Sequence, residues 1–92
     1  IDDSRLAQEI FYHIQRLDVN EELKRLEQHC AYFEQTLKAS VSQGRKLSFI
    51  AQEMGREINT LGSKSCDKEM QHLVVEMKDA LEKIKEQVLN IL

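Results

Sequence analysis

Apolar residues along this chain recur at steps of three and four rather than in alternation, the period of helices that pack by one face. Leu6, Ile10, Ile14 and Leu17 form a first stripe, with Asp2 and Asp3 at the positive end of the helix dipole. The first helix is therefore expected from about Ser4 to Leu17, ending near Asp18. Asn20 then reads as the cap of a second helix, whose Leu23, Leu26, Cys30, Phe33 and Leu37 have the spacing of a packed seam. Ser40 to Gly44 is the next break. Beyond it, Leu47, Ile50, Met54, Ile58 and Leu61 share one face of a third helix, expected to stop at Gly62 as a left-handed cap. Ser65 or Asp67 starts the last helix, where Met70, Leu73 or Val74, Met77, Leu81, Ile84, Val88 and Ile91 form a long ribbon. The pattern predicts an all-α chain of four helices, in an antiparallel bundle or extended helical hairpins. The last helix is expected to outreach its neighbours and leave apolar surface for a partner chain, so self-association is anticipated.

Composition narrows this picture. At 92 residues, with three Gly and no Pro, the chain is one helical domain, 1–92, and its start at Ile1 suggests a fragment of a longer protein. Thirteen Lys and Arg against 16 Asp and Glu leave a net charge of -3, so no general positive field draws it to nucleic acid or anionic membranes. Any phosphate site must be local. The apolar runs are too short for a membrane span, and a cytoplasmic location is expected. Cys30 and Cys66 match neither a disulfide framework nor a zinc pattern; Cys30 reads as core and Cys66 as a free thiol in a turn.

Several polar positions carry chemistry. Glu22, Arg25, His29, Tyr32 and Thr36 make a stripe beside the second seam, combining an acid, a guanidinium, an imidazole and a phenol. The plainer alternative is hydrogen bonding at a bundle edge. On the third helix, Arg45, Phe49, Gln52, Arg56 and Asn59 fall opposite the core, with Lys46, Glu53, Glu57 and Thr60 along one flank. Phe49 there suits partner packing or the stacking of a base. Glu53 and Glu57, one turn apart, could both ligate a hard divalent cation. Gly62-Ser63-Lys64-Ser65 offers hydroxyls, an ammonium and helix N-terminal amides to an anion, without the order of a Walker loop. Glu69-x-x-His72 is half of a di-iron ligand set and has no second copy.

The run Gly44-Arg45-Lys46-Leu47-x-Phe49, followed by Gln52-Glu53-Met54-x-Arg56-Glu57-x-Asn59-Thr60-x-x-Ser63-Lys64-Ser65, resembles the C-terminal part of the YicC/YloC family. So do Glu21-Glu22-Leu23-x-Arg25-Leu26-x-x-His29 and Glu86-Gln87-Val88-x-Asn90, in the same order. The resemblance implies a stress-associated, metal-dependent endoribonuclease that acts on RNA as a cytoplasmic homo-oligomer, with its own N-terminal domain as a further partner. Two positions depart from the pattern: Ser48 stands where Asp is expected, and Gly55 where Asn is expected. Roles placed on the matching positions make Glu53, Glu57 and Asn59 ligands for Mg²⁺ or Mn²⁺. Arg25, Arg45, Arg56, Lys64, Ser63 and Ser65 become phosphate contacts, Phe49 a stacking platform and His29 the proton carrier beside catalytic Glu53 and Glu57. The alternative is a helical oligomerisation or interaction module without catalytic activity of its own.

Overall fold

The computed structural model describes residues 3–39 and 41–91. The expectations placed on Asp2 and Ser40 lie outside them. Among the described residues the fold is all-α, with three helices rather than four: α1 (Asp3–Leu37), α2 (Gly44–Lys64) and α3 (Lys68–Leu89). The expected break near Asp18 does not exist, and Asn20 lies within α1 instead of capping a new helix. Asp18, Val19 and Asn20 each cost only about 0.5–0.7 kcal/mol relative to Ala in a helix. Val19 packs against the core and Asp18 approaches Lys64, which offsets that cost where a Gly or Pro would have ended the helix.

The suggestion of a break came from a real change of register. Leu6, Ile10, Ile14 and Leu17 lie on one side of α1, whereas the buried seam further on is carried by Val19, Glu22, Leu26, His29, Phe33 and Thr36. At about 100° per residue the two stripes are centred roughly a third of a turn apart. The seam alternates steps of three and four, with apolar Val19, Leu26 and Phe33 interleaved with polar Glu22, His29 and Thr36. Of the expected polar stripe, Glu22, His29 and Thr36 thus turn into the seam, while Arg25 and Tyr32 stay exposed at its edge. Cys30, expected in the core, is exposed, as are Leu23 and Leu37.

α2 is the central helix and packs against both others. Leu47, Ile50, Ala51, Met54, Ile58 and Leu61 are buried along it, as the spacing predicts. It runs past Gly62 to Lys64, so Gly62 is no left-handed cap; no glycine has a positive φ among the described residues. Both interior glycines serve close packing instead. A Cβ on Gly55 would lie 3.3 Å from Leu81 Cδ2, and one on Gly62 would lie 3.2 Å from Val74 Cγ1. Gly55 and Gly62 are seven residues apart, as are Val74 and Leu81, so two matched rungs bring α3 close to α2.

Asp67 caps α3 by accepting the Glu69 backbone N–H at 3.0 Å, as anticipated. Gln71 Nε2 donates to the carbonyls of Gly62 at 2.7 Å and Ser65 at 2.6 Å, satisfying groups that the end of α2 leaves open. Val74, Leu81 and Val88 are the buried residues of α3. The longest element is α1, not the last helix, and its first turns run beyond the end of α2 in a molecule 62 Å long and 20 Å across.

Candidate functional site

The polar rungs of α1 meet charged residues of α2. His29 Nδ1 lies 2.7 Å from Glu57 Oε2 and 2.9 Å from Oε1. The Glu57 side chain is 6% exposed, while that of His29 is 31% exposed. An interior carboxylate thus holds an imidazole whose outer edge reaches solvent. With Nδ1 against a carboxylate, a neutral imidazole is favoured in the tautomer that donates from Nδ1, which leaves Nε2 as the nitrogen able to exchange a proton.

Two turns toward the α1 N-terminus, the buried Glu22 carboxylate accepts a hydrogen bond from the Arg25 guanidinium. Lys64 Nζ lies 4.0 Å from Glu22 Oε1 and 3.9 Å from Asp18 Oδ2. The hydrogen bond to Glu22 is the main cause that pushes the Arg25 pKa above its ordinary value, desolvation opposing it. At the other end, Lys46 Nζ sits 4.9 Å from the centre of the Tyr32 ring. Thr36 is buried, and its Oγ1 finds no hydrogen-bond partner among the described residues. Cys30 does not join as a nucleophile: desolvation, then the charges of Glu57 and Glu27, push its thiol pKa up and reduce the thiolate.

The outward face of α2 is as the spacing predicts: Arg45, Phe49, Gln52, Arg56 and Asn59 are exposed, Phe49 at 62%. Gln52, Arg56 and Asn59, with Thr60, Ser63, Gly55 and Lys85 of α3, line an open cavity of about 560 Å³. Thr60 Oγ1 donates to the Arg56 carbonyl at 2.9 Å and Ser63 Oγ to the Thr60 carbonyl at 3.0 Å. Their hydroxyl protons are spent on the helix, so Gln52, Arg56, Asn59 and Lys85 are the donors that face the cavity. The phosphate set read from the sequence is divided. Lys64 and Ser65 line a second cavity of about 540 Å³ with Arg16 and Asp67, while Arg25 turns to Glu22. Ser65 Oγ accepts the Asp67 N–H at 3.2 Å, and Lys64 closes α2 rather than opening α3.

The expected cation ligands do not converge. Glu57 directs both oxygens at His29, and Glu53 Oε1 lies 3.6 Å from Arg56 Nη2. Asn59 is on the outward face, two residues and so about 200° from Glu57. Among the described residues no group of three or more His, Cys, Asp or Glu is placed to hold a metal ion. Mg²⁺ or Mn²⁺ would need ligands beyond this set.

Sequence reading did not assign Glu22, Asp18 or Lys85 to a site. Glu22 stood in the polar stripe, and its seven-residue spacing from His29 was a usable signal. Lys85 carried none, because only the packing of α3 brings it to α2.

The fold and its seam define a class: a three-helix domain whose central helix bears a buried carboxylate paired with an imidazole. A family model described as "Endoribonuclease YicC-like, C-terminal" matches residues 1–92, and the chain belongs to that family. A relative from Clostridioides difficile named "Probable endoribonuclease YicC" is 46% identical over 91 residues, which are 99% of this chain and 31% of the relative. One of the same name from Haemophilus influenzae is 42% identical over 91 residues, 99% of this chain and 32% of the relative. The chain thus spans about a third of the length of the curated relatives it matches. No helix among the described residues is long and apolar enough to cross a membrane.

Proposed function

We propose that this chain is the helical domain of an endoribonuclease and that His29, held by Glu57, moves a proton during cleavage of an RNA phosphodiester bond. The observation that carries this reading is the two-oxygen contact from a buried carboxylate to Nδ1 of an imidazole with a solvent-facing edge. Breaking a phosphodiester requires a proton to leave the attacking oxygen and another to reach the departing one. A positioned imidazole can serve either step. Glu57 fixes the tautomer and stabilises the imidazolium that forms when Nε2 takes a proton. Arg56, Lys85, Gln52 and Asn59, on the outward face of α2 and turned away from His29, supply donors for an RNA strand at a distance from the bond cut, and Phe49 there can stack a base.

A second reading follows from the same pair, since an ion pair across a helix interface also fixes register in a purely structural module. The two separate in the full-length protein. With His29→Gln, RNA cleavage is expected to fall by about 10²–10⁴-fold, while RNA binding and helix content stay close to the unaltered protein. Glu57→Gln should lower cleavage and alter the pH dependence of the remaining rate. Cleavage by folded His29→Gln protein at the unaltered rate would remove the catalytic assignment. Loss of cleavage only in step with loss of helix content would favour the structural module.

A further inference from the structure

The first half of α1 carries an apolar stripe that no described residue covers. Leu6, Ile10, Ile14 and Leu17 recur at steps of four, four and three. Their exposures run from 49% for Leu6 to 63% for Leu17. Single exposed apolar residues are ordinary, but four on one helical face are a binding surface. The stripe cannot be a frayed continuation of the seam, because it points nearly half a turn away from Val19, Leu26 and Phe33. The seam side of α1 instead faces the core, against which Val19 packs. The stripe is therefore turned toward a different body.

Its size says what kind of body. The stretch from residue 3 to 17 is about 22 Å long and the helix about 10 Å wide, so one face offers only a few hundred Å². A standard interface between separate molecules buries roughly 800 Å² per partner. A small face suffices when its occupant is tethered, because the effective concentration within one polypeptide reaches about the millimolar range. The relatives named above carry about two thirds of their length outside the matched region, and the matching family model is a C-terminal one. We propose that this stripe is the docking seat for the remaining portion of the full-length polypeptide, which covers Leu6, Ile10, Ile14 and Leu17 with an apolar patch of its own. α1 then acts as a rigid spacer, placing that portion about 28 Å along the helix axis from His29, the rise from residue 10 to residue 29. This inference does not depend on the catalytic role of His29.

Hydrogen exchange on the full-length protein tests it, with amides 6–17 followed in the unaltered protein and in an Ile10→Asp, Ile14→Asp variant. The amides should be protected in the unaltered protein, to the same degree across a hundredfold dilution. In the variant, their exchange should accelerate by roughly tenfold or more while α2 and α3 exchange as before, because neither residue belongs to the buried core. Rapid exchange of the stretch in unaltered protein would overturn the proposal, as would unchanged protection in the variant. Protection that fades on dilution would overturn it too, assigning the stripe to a second copy.

Discussion

α2 meets its two neighbours on different terms. Against α3 the contact is close, with apolar rungs at its centre: Gly55 lies against Leu81 and Gly62 against Val74, with Ala51 and Ile58 buried nearby. Against α1 every second rung is polar, and Glu22, His29 and Thr36 alternate with Val19, Leu26 and Phe33 along the seam. Such apolar rungs can be stabilised by dispersion and burial alone. The polar seam must satisfy each group it buries, which it does for Glu57 through His29 and for Glu22 through Arg25. Charged groups retained in a seam that aliphatic residues could fill set the α1 side of α2 apart from the α3 side.

The largest expected effect breaks the apolar side. Leu81 is 4% exposed and belongs to the core cluster. Leu81→Ala should cost about 2–5 kcal/mol, and a domain of this size should lose on the order of 10 °C or more in thermal unfolding followed by circular dichroism. A loss under about 0.5 kcal/mol, the range of surface substitutions, would mean that α3 is not held by this rung.

Thr36 sharpens the polar side. Its Oγ1 is the one buried side-chain polar atom without a hydrogen-bond partner among the described residues. Valine has nearly the same shape and removes the unsatisfied hydroxyl. Thr36→Val is expected to stabilise the fold by about 1 kcal/mol, raising the unfolding midpoint. A lowered midpoint would show that the hydroxyl is satisfied in the folded protein and that the polar seam is complete at every rung.

The same asymmetry governs what could be read from the sequence. The apolar positions of α2 and α3, the Asp67 cap and the exposed face bearing Phe49 were legible, because in each case apolar residues alone mark the buried side. α1 was not. Its two stripes point in different directions, so the pattern looked like two helices with a turn at Asp18. Along its seam, half the core positions are polar, so Leu23, Cys30 and Leu37 were mistaken for the buried face in place of Glu22, His29 and Thr36. The site was legible as a stripe of reactive residue types, and His29 and Glu57 were both named. Their pairing was hidden, since the sequence does not record which turn of α2 lies opposite which turn of α1. Placing Glu57 with Glu53 on a shared cation followed from spacing within one helix, whereas the structure turns Glu57 toward the neighbouring one.

The smallest effects compare the two glycine rungs with each other. An alanine inside a helix is favoured over glycine by about 0.8–1 kcal/mol, so without neighbours both Gly55→Ala and Gly62→Ala would stabilise α2. At position 62 the new methyl would press on Val74, a buried, β-branched side chain with little freedom at χ1. Overpacking of that kind costs about 1–3 kcal/mol, so Gly62→Ala should be net destabilising by about 1 kcal/mol. At position 55 the neighbour is a terminal methyl of Leu81, two rotatable bonds from its backbone and able to yield a few tenths of an ångström. There the two effects should nearly cancel, leaving a change within about 0.5 kcal/mol of zero. Chemical denaturation of the two variants side by side measures the difference. A Gly62→Ala protein more stable than Gly55→Ala would show that Val74 yields more readily than Leu81 and that the closest approach of α2 and α3 lies at the Leu81 rung.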